Sequence, residues 1–285
     1  MAADAGTYLY AVARDTGAAP PEELTGVAGT PVRAITGAGL AAYVSTVPLD
    51  EFGEEPLRRS MEDLDWLDRT ARAHHHVVEE VARRAATVPV RLVTVYSGDD
   101  QVRALLDGRR DDFTQALARV AGRREWGVKV YAGADEGSSS GRPDEGTRAA
   151  SPGTAYLKRR QADLRSREEA MRRAGARAEQ VHDVLRSIAV ASRRHRAQDP
   201  QLSGRREGMV LNGAYLVDDE RGQEFARALE ELRAQGGEIE LTGPWAPYSF
   251  AVLDDPAGPD AQGLDPTGPD PAGSDPARHD HGGRA

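Results

Sequence analysis

Apolar and polar positions recur along this chain with two different periods. Residues 7–14 place Tyr8, Tyr10 and Val12 on one side and Leu9, Ala11 and Ala13 on the other. Both sets are apolar, so the pattern predicts a strand buried on both faces. Two short apolar runs, 32–35 and 40–47, separated by Gly37 and Gly39, predict a hairpin. From Ser60 the period becomes helical, with Leu64, Leu67, Ala71, His74 or His75, Val78, Val81 and Ala85 on one side and Ser60 and Asp63 placed to cap. Residues 87–96 are β-branched and bounded by Pro89 and Ser97-Gly98, which predicts another strand. Asp99 caps a helix carrying Val102, Leu105 and Leu106, residues 111–120 continue as helix, and 126–132 return to strand.

Residues 133–151 are Gly, Ser, Asp and Pro with hardly a large apolar side chain, so a flexible loop is expected between an N-terminal domain, 1–132, and a C-terminal domain, 152–253. The second domain opens with one long charged helix or a helical pair over about 152–198. Leu157, Leu164, Met171, Ala178 and Leu185 stand one heptad apart on it. Gln161 and Glu168 interrupt the companion position, which turns apolar only at Val181 and Ile188, and Gly175 is a weak point. A strand at 209–217, an amphipathic helix at 219–235 with Phe225, Leu229 and Leu232 inward, and strands at 238–241 and 248–253 complete the pattern. Together with the strand at 126–132, this second half reads as a ferredoxin-like arrangement with a long charged helix. The fold class is therefore α+β with two domains. Residues 254–285 repeat Asp-Pro and Gly-Pro pairs, with Leu264 the one large apolar side chain, and are expected to form a disordered acidic tail.

Composition narrows the chemistry. The chain has no Cys, which removes disulfides, thiolate zinc sites and cysteine nucleophiles. Its net charge is −9, much of it in the tail. No segment has the apolar length of a membrane span, and residues 1–6 lack the pattern of a secretory signal, so a cytoplasmic protein with no membrane span is expected.

Candidate motifs fail on context. Residues 137–141, Gly-Ser-Ser-Ser-Gly, match a nucleophile elbow but lie in the expected loop, without the strand and helix that would strain the serine. His74, His75 and His76 are consecutive on a helix and point about 100° apart, so they cannot converge on one metal ion. Gly37-Ala38-Gly39 lies between two strands and opens no helix, unlike a dinucleotide loop. The arginines between Lys158 and Arg177 could neutralise phosphates, but Glu168, Glu169 and Glu179 interleave at salt-bridging spacing, as on a solvated helix face. The expectation is no enzyme, no catalytic residue, no metal, no cofactor and no nucleic acid.

Residues 242–250, Thr-Gly-Pro-Trp-Ala-Pro-Tyr-Ser-Phe, gather three aromatics and two prolines in a chain that is only 5% aromatic. The prolines stiffen a turn that presents Trp245. Trp245, Tyr248 and Phe250 either cover the edge of the second core, with Trp245 near Tyr215 on the neighbouring strand, or form an apolar surface for a partner.

With those residues in view, the chain resembles the gas vesicle F/L family. The similarity rests on residues 8–12 (Tyr-Leu-Tyr-Ala-Val), the helix with its His before Val77-Val78, residues 88–96 and 126–130, the run 211–217 (Leu-Asn-Gly-Ala-Tyr-Leu-Val), and 242–250. Ala246 departs from the family's pattern, which has Pro there, and the acidic tail lies outside it. The resemblance implies a cytoplasmic, gas vesicle-associated accessory protein with no catalytic residues. It would bind the small hydrophobic shell subunit, and other accessory proteins, and keep that subunit from aggregating during nucleation and assembly. The alternative role it implies is a minor structural component of the vesicle wall, or a bridge between accessory proteins.

Overall fold

Tyr8, Leu9, Tyr10, Ala11, Val12 and Ala13 are all completely buried, because β1 (Ala5–Arg14) runs through the middle of a four-stranded sheet. The computed structural model describes residues 4–132, 152–197 and 208–251. The expected loop 133–151 and the expected tail 254–285 lie outside the described residues. Contacts group the described residues into two compact units, divided between Leu117 and Ala118.

In the first unit β1 pairs antiparallel with β3 (Leu40–Pro48) on one side and β4 (Thr87–Tyr96) on the other, and β2 (Arg33–Gly37) pairs with β3, giving the order β2-β3-β1-β4. The expected hairpin turns at Ala38 and Gly39, both at positive φ (54° and 76°), as a two-residue turn with the strands' own twist requires. Two short helices, α1 (Leu49–Phe52) and α2 (Glu54–Ser60), lead into α3 (Leu64–Ala82). Asp63 caps α3 by accepting from the amides of Asp65 and Trp66. The buried stripe is Trp66, Thr70, His74, Val77, Val78 and Val81, while Leu64, expected inward, stands at the first helical position and is 77% exposed. After β4 come α4 (Asp99–Gly108) and α5 (Arg110–Val120). Asp99 accepts from Thr7 and takes a fork of two 2.8 Å bonds from Arg33, which ties the start of α4 to the sheet.

The second unit follows the order β5 (Arg123–Tyr131), α6 (Pro152–Ile188), β6 (Ala191–Arg194), β7 (Met209–Asp218), α7 (Gly222–Ala234) and β8 (Glu238–Trp245). The sheet order is β6-β7-β5-β8, every pair antiparallel, and the β-α-β-β-α-β succession is that of a ferredoxin-like unit. β5, which precedes the 133–151 segment, is therefore a central strand of the second sheet. Val128, Val130, Leu211, Tyr215, Val217 and Ile239 line the helix-covered face against Phe225, Leu229 and Leu232 of α7 and Ala178, Val181, Leu185 and Ile188 of α6. Ahead of Ala174 the described side chains of α6 are exposed, apart from a half-buried Ala170, and Leu164 and Met171 are 52% and 53% exposed.

Two sequence expectations are corrected here. The long helix stops at Ile188, and the chain turns into β6, whose residues pair with Gly213–Leu216 of β7. Residues 248–251 are not a strand. The amides of Phe250 and Ala251 both donate to the carbonyl of Pro247, at 3.2 and 3.0 Å, so the chain curls into a turn where a strand would need those amides for a ladder.

Candidate functional site

The four aromatic residues singled out in the sequence do not form one patch. Tyr215 is completely buried on the helix-covered face, 5.5 Å from the Phe225 ring, and its hydroxyl bonds His182 Nδ1 at 2.8 Å. Burial pushes its phenol pKa well above the ordinary range. Side chains alternate along β7, so Ala214 and Leu216 face the other way, and Phe250 packs against them there. Trp245 and Tyr248 are half-buried. Trp245 lies opposite Glu125, because a register shift between β5 and β8 falls at Gly243-Pro244, where the peptide bond is cis. The cross-strand partner of Tyr215 is Trp126, one strand nearer than Trp245. The expected pairing of Trp245 with Tyr215 is thus corrected: Trp126 takes that place, its ring 5.6 Å from Phe225.

Glu125, absent from the sequence-based candidates, organises the segment around Ser249. One carboxylate oxygen accepts from the Ser249 amide at 2.7 Å and the other from the Ser249 hydroxyl at 2.6 Å. His195 Nε2 lies 3.2 Å from the same hydroxyl, and the guanidinium of Arg193 sits 5.8 Å from the centre of the Phe250 ring. Burial pushes the Glu125 carboxyl up to about 7, against the bonds from Ser249 and the charge of Arg193, which favour ionisation. Both oxygens are committed to Ser249, so this carboxyl fastens the chain to itself. The strand alternation puts Glu125 with Arg123 and Lys129, on the face away from Trp126, Val128 and Val130, so it reads as a solvated residue, and nothing local points to a partner 124 residues away that buries it.

The other candidates fall as follows. His74 is buried, with Nδ1 3.0 Å from the Tyr8 hydroxyl, and burial pushes its pKa down to about 3. A backbone hydrogen bond with Val90 opposes that shift, and burial outweighs it. No group of three or more metal-binding side chains occurs among the described residues. Gly37-Ala38-Gly39 is the hairpin turn. The serine-rich 137–141 segment lies outside the described residues. Arg177 anchors the seated end of α6, bonding Gln180, Gln235 and the Leu232 carbonyl. No helix among the described residues is long and apolar enough to cross a membrane.

Comparison with known proteins adds what geometry alone does not. Residues 6–252 match the family profile described as gas vesicle synthesis protein GvpL/GvpF. The chain is 42% identical over 255 residues to gas vesicle protein L of Streptomyces sp. (strain CB03234), covering 89% of this chain and 95% of that protein. It is 29% identical over 266 residues to gas vesicle protein F of the same strain, covering 86% and 98%. The crystal structure of GvpF from Anabaena sp. PCC7120 superposes with a TM-score of 0.61 at 20% identity, over 88% of this chain and 98% of that one. GvpF from Microcystis aeruginosa gives 0.59 at 20% identity, over 87% and 99%. At that identity the structures speak for the fold. The match over 6–252 and the identity to the Streptomyces protein decide the family, and the chain belongs to the GvpL/GvpF family of gas vesicle synthesis proteins.

Proposed function

We propose that this chain is a gas vesicle accessory protein that binds the hydrophobic shell subunit by apolar contact and keeps it from aggregating while the vesicle forms. The observation that carries this reading is the span of the family match, 6–252, which takes in the described residues of both units from Gly6 to Ala251. A shell subunit with apolar surfaces needs a partner until it assembles, and the partner needs apolar groups that solvent still reaches. Half-buried Trp245 and Tyr248 suit that contact, while Phe250 and Tyr215 hold the turn and strand behind them. The protein works in the cytoplasm and at the gas vesicle.

Co-expression with the shell subunit, followed by pull-down at low and high salt, tests the proposal. The complex is expected to be recovered with little salt dependence, because apolar burial is not screened. Trp245→Ala and Tyr248→Ala should each reduce recovery, by about tenfold, at unchanged melting temperature. No recovery at either salt concentration overturns the reading. Retention in purified vesicles at a fixed ratio to the shell subunit would instead make the chain a component of the wall.

A further inference from the structure

The segment from Ala246 to Ala251 has no place in the sheet ladder. Its backbone bonds include Tyr248 to Ala246, and Phe250 and Ala251 to Pro247, all within the segment itself. Two side chains fasten it to the face of the second sheet opposite α6 and α7. Phe250 packs on Ala214 and Leu216, with Ala191 beside them, and Ser249 gives both its amide and its hydroxyl to the buried carboxyl of Glu125. We propose that Glu125 and Ser249 form a proton-controlled latch: with Glu125 protonated the turn stays closed over Ala214 and Leu216, and with Glu125 ionised it lifts and uncovers them.

The closed, protonated state buries no net carboxylate charge. The Glu125 hydroxyl can donate to Ser249 Oγ, and the Ser249 amide keeps the second carboxyl oxygen. In the ionised state two donors face a charge that is only 9% exposed. The cation that faces it is Arg193 from β6, with His195 just beyond; on its own strand, Arg123 and Arg124 are engaged with Asp218 and Asp219. Burial outweighs these, which is why the carboxyl titrates at about 7. Lifting the turn returns it to water and to its ordinary range near 4.5, so ionisation drives opening.

Hydrogen exchange of the full chain tests this, with each rate divided by the intrinsic rate at the same pH. Between pH 5.5 and 8 the protection of the Ser249, Phe250 and Ala251 amides should fall about thirtyfold, the linkage expected for a carboxyl moving between about 7 and 4.5, while amides of the β7 core stay unchanged. In Glu125→Gln, which cannot ionise but keeps the shape and an acceptor, protection should be the same at both pH values. Ser249→Ala removes one donor to the carboxylate, so the midpoint of the change should move to higher pH. Equal protection at the two pH values overturns the latch, as does a pH response that survives in Glu125→Gln. Should Glu125→Gln fail to fold, a midpoint that does not move in Ser249→Ala overturns it instead.

Discussion

The two sheets thread their strands in the same order, second, third, first, fourth, with every neighbouring pair antiparallel. What differs is the connection after the first strand. In the second unit it contains the 37-residue helix α6. In the first it is the stretch 15–32, with a single 3-10 turn at Val27–Gly29. That stretch does part of a helix's work: Leu24 and Val27 are buried, and the Val27 amide donates to the Tyr10 hydroxyl beside α3. The sheet needs apolar cover over its first strand, and a short loop can supply it if a buried tyrosine satisfies the loop's backbone. In both units the fourth strand also slips against the first, at Val90–Val93 opposite Tyr10 and at Gly243-Pro244 opposite Trp126. Such shifts twist an edge away from further pairing. The first slip holds Val93 at φ 63°, costly for a β-branched residue, and clamps its amide to the Tyr8 hydroxyl; the second places Gly243 at φ 101°.

The contrast predicts opposite responses to pH. His74 has a folded pKa of about 3 against an ordinary 6.5, so between those values the unfolded chain holds a proton that the folded chain does not. Stability of the first unit is therefore lost as pH falls below 6.5, by several kcal/mol, on the order of 4, near pH 3. Glu125 runs the other way: its contribution is complete below 4.5 and is lost as pH rises through about 7. Denaturation at pH 4, 5.5 and 7, followed by exchange of β1 and β7 amides, should show the units diverging, and His74→Gln should flatten the acid slope in β1. Parallel pH profiles would break the contrast.

The register shifts give the next largest effects. Gly243→Ala puts a Cβ 2.8 Å from the Glu125 carbonyl at a φ of 101°, and should cost about 3 kcal/mol. Val93→Gly relieves strain while losing a half-buried side chain, so a change within about 1 kcal/mol is expected. Urea denaturation compares the two; equal losses would mean that the strands tolerate the same conformations. The smallest effect separates two tyrosines that each bond a histidine Nδ1. Tyr8→Phe also strips the acceptor from the Val93 amide and the partner from His74 Nδ1 in the core, about 2 kcal/mol, whereas Tyr215→Phe leaves the half-buried His182 to water, about 1 kcal/mol.

How much of this could be read from the sequence depended on whether a residue's neighbours in the chain also decide its environment. The double-sided burial of β1 and the order of β5, α6, β7, α7 and β8 were legible, since period and length alone specify them. β6 was not: Ala191-Ser192-Arg193-Arg194 is short and polar, and its strand character comes from β7. Tyr248 and Phe250 alternate as a strand would, yet the Pro247 carbonyl draws the following amides into a turn. Leu64 looked inward because it is apolar; the buried stripe begins instead at Trp66, whose ring packs 5.6 Å from Phe52, a residue 14 positions earlier that the period of the helix does not reveal. The aromatic cluster near Trp245 was visible as composition, but its sorting onto opposite faces depends on the slip at Gly243-Pro244, and Glu125 gains its role only through a residue 124 positions away.

α6 has one more consequence, and it is one of leverage. Its seated part begins at Ala178, and Gly175, where an added Cβ would meet nothing within 4 Å, stands at the edge of the exposed part. The helix before that glycine, 152–174, is about 34 Å long at 1.5 Å per residue. A bend of about 10° at such a pivot carries the Pro152 end through about 6 Å, so an angular change too small to disturb the packing of Val181 or Leu185 becomes a displacement larger than a helical turn at the far end.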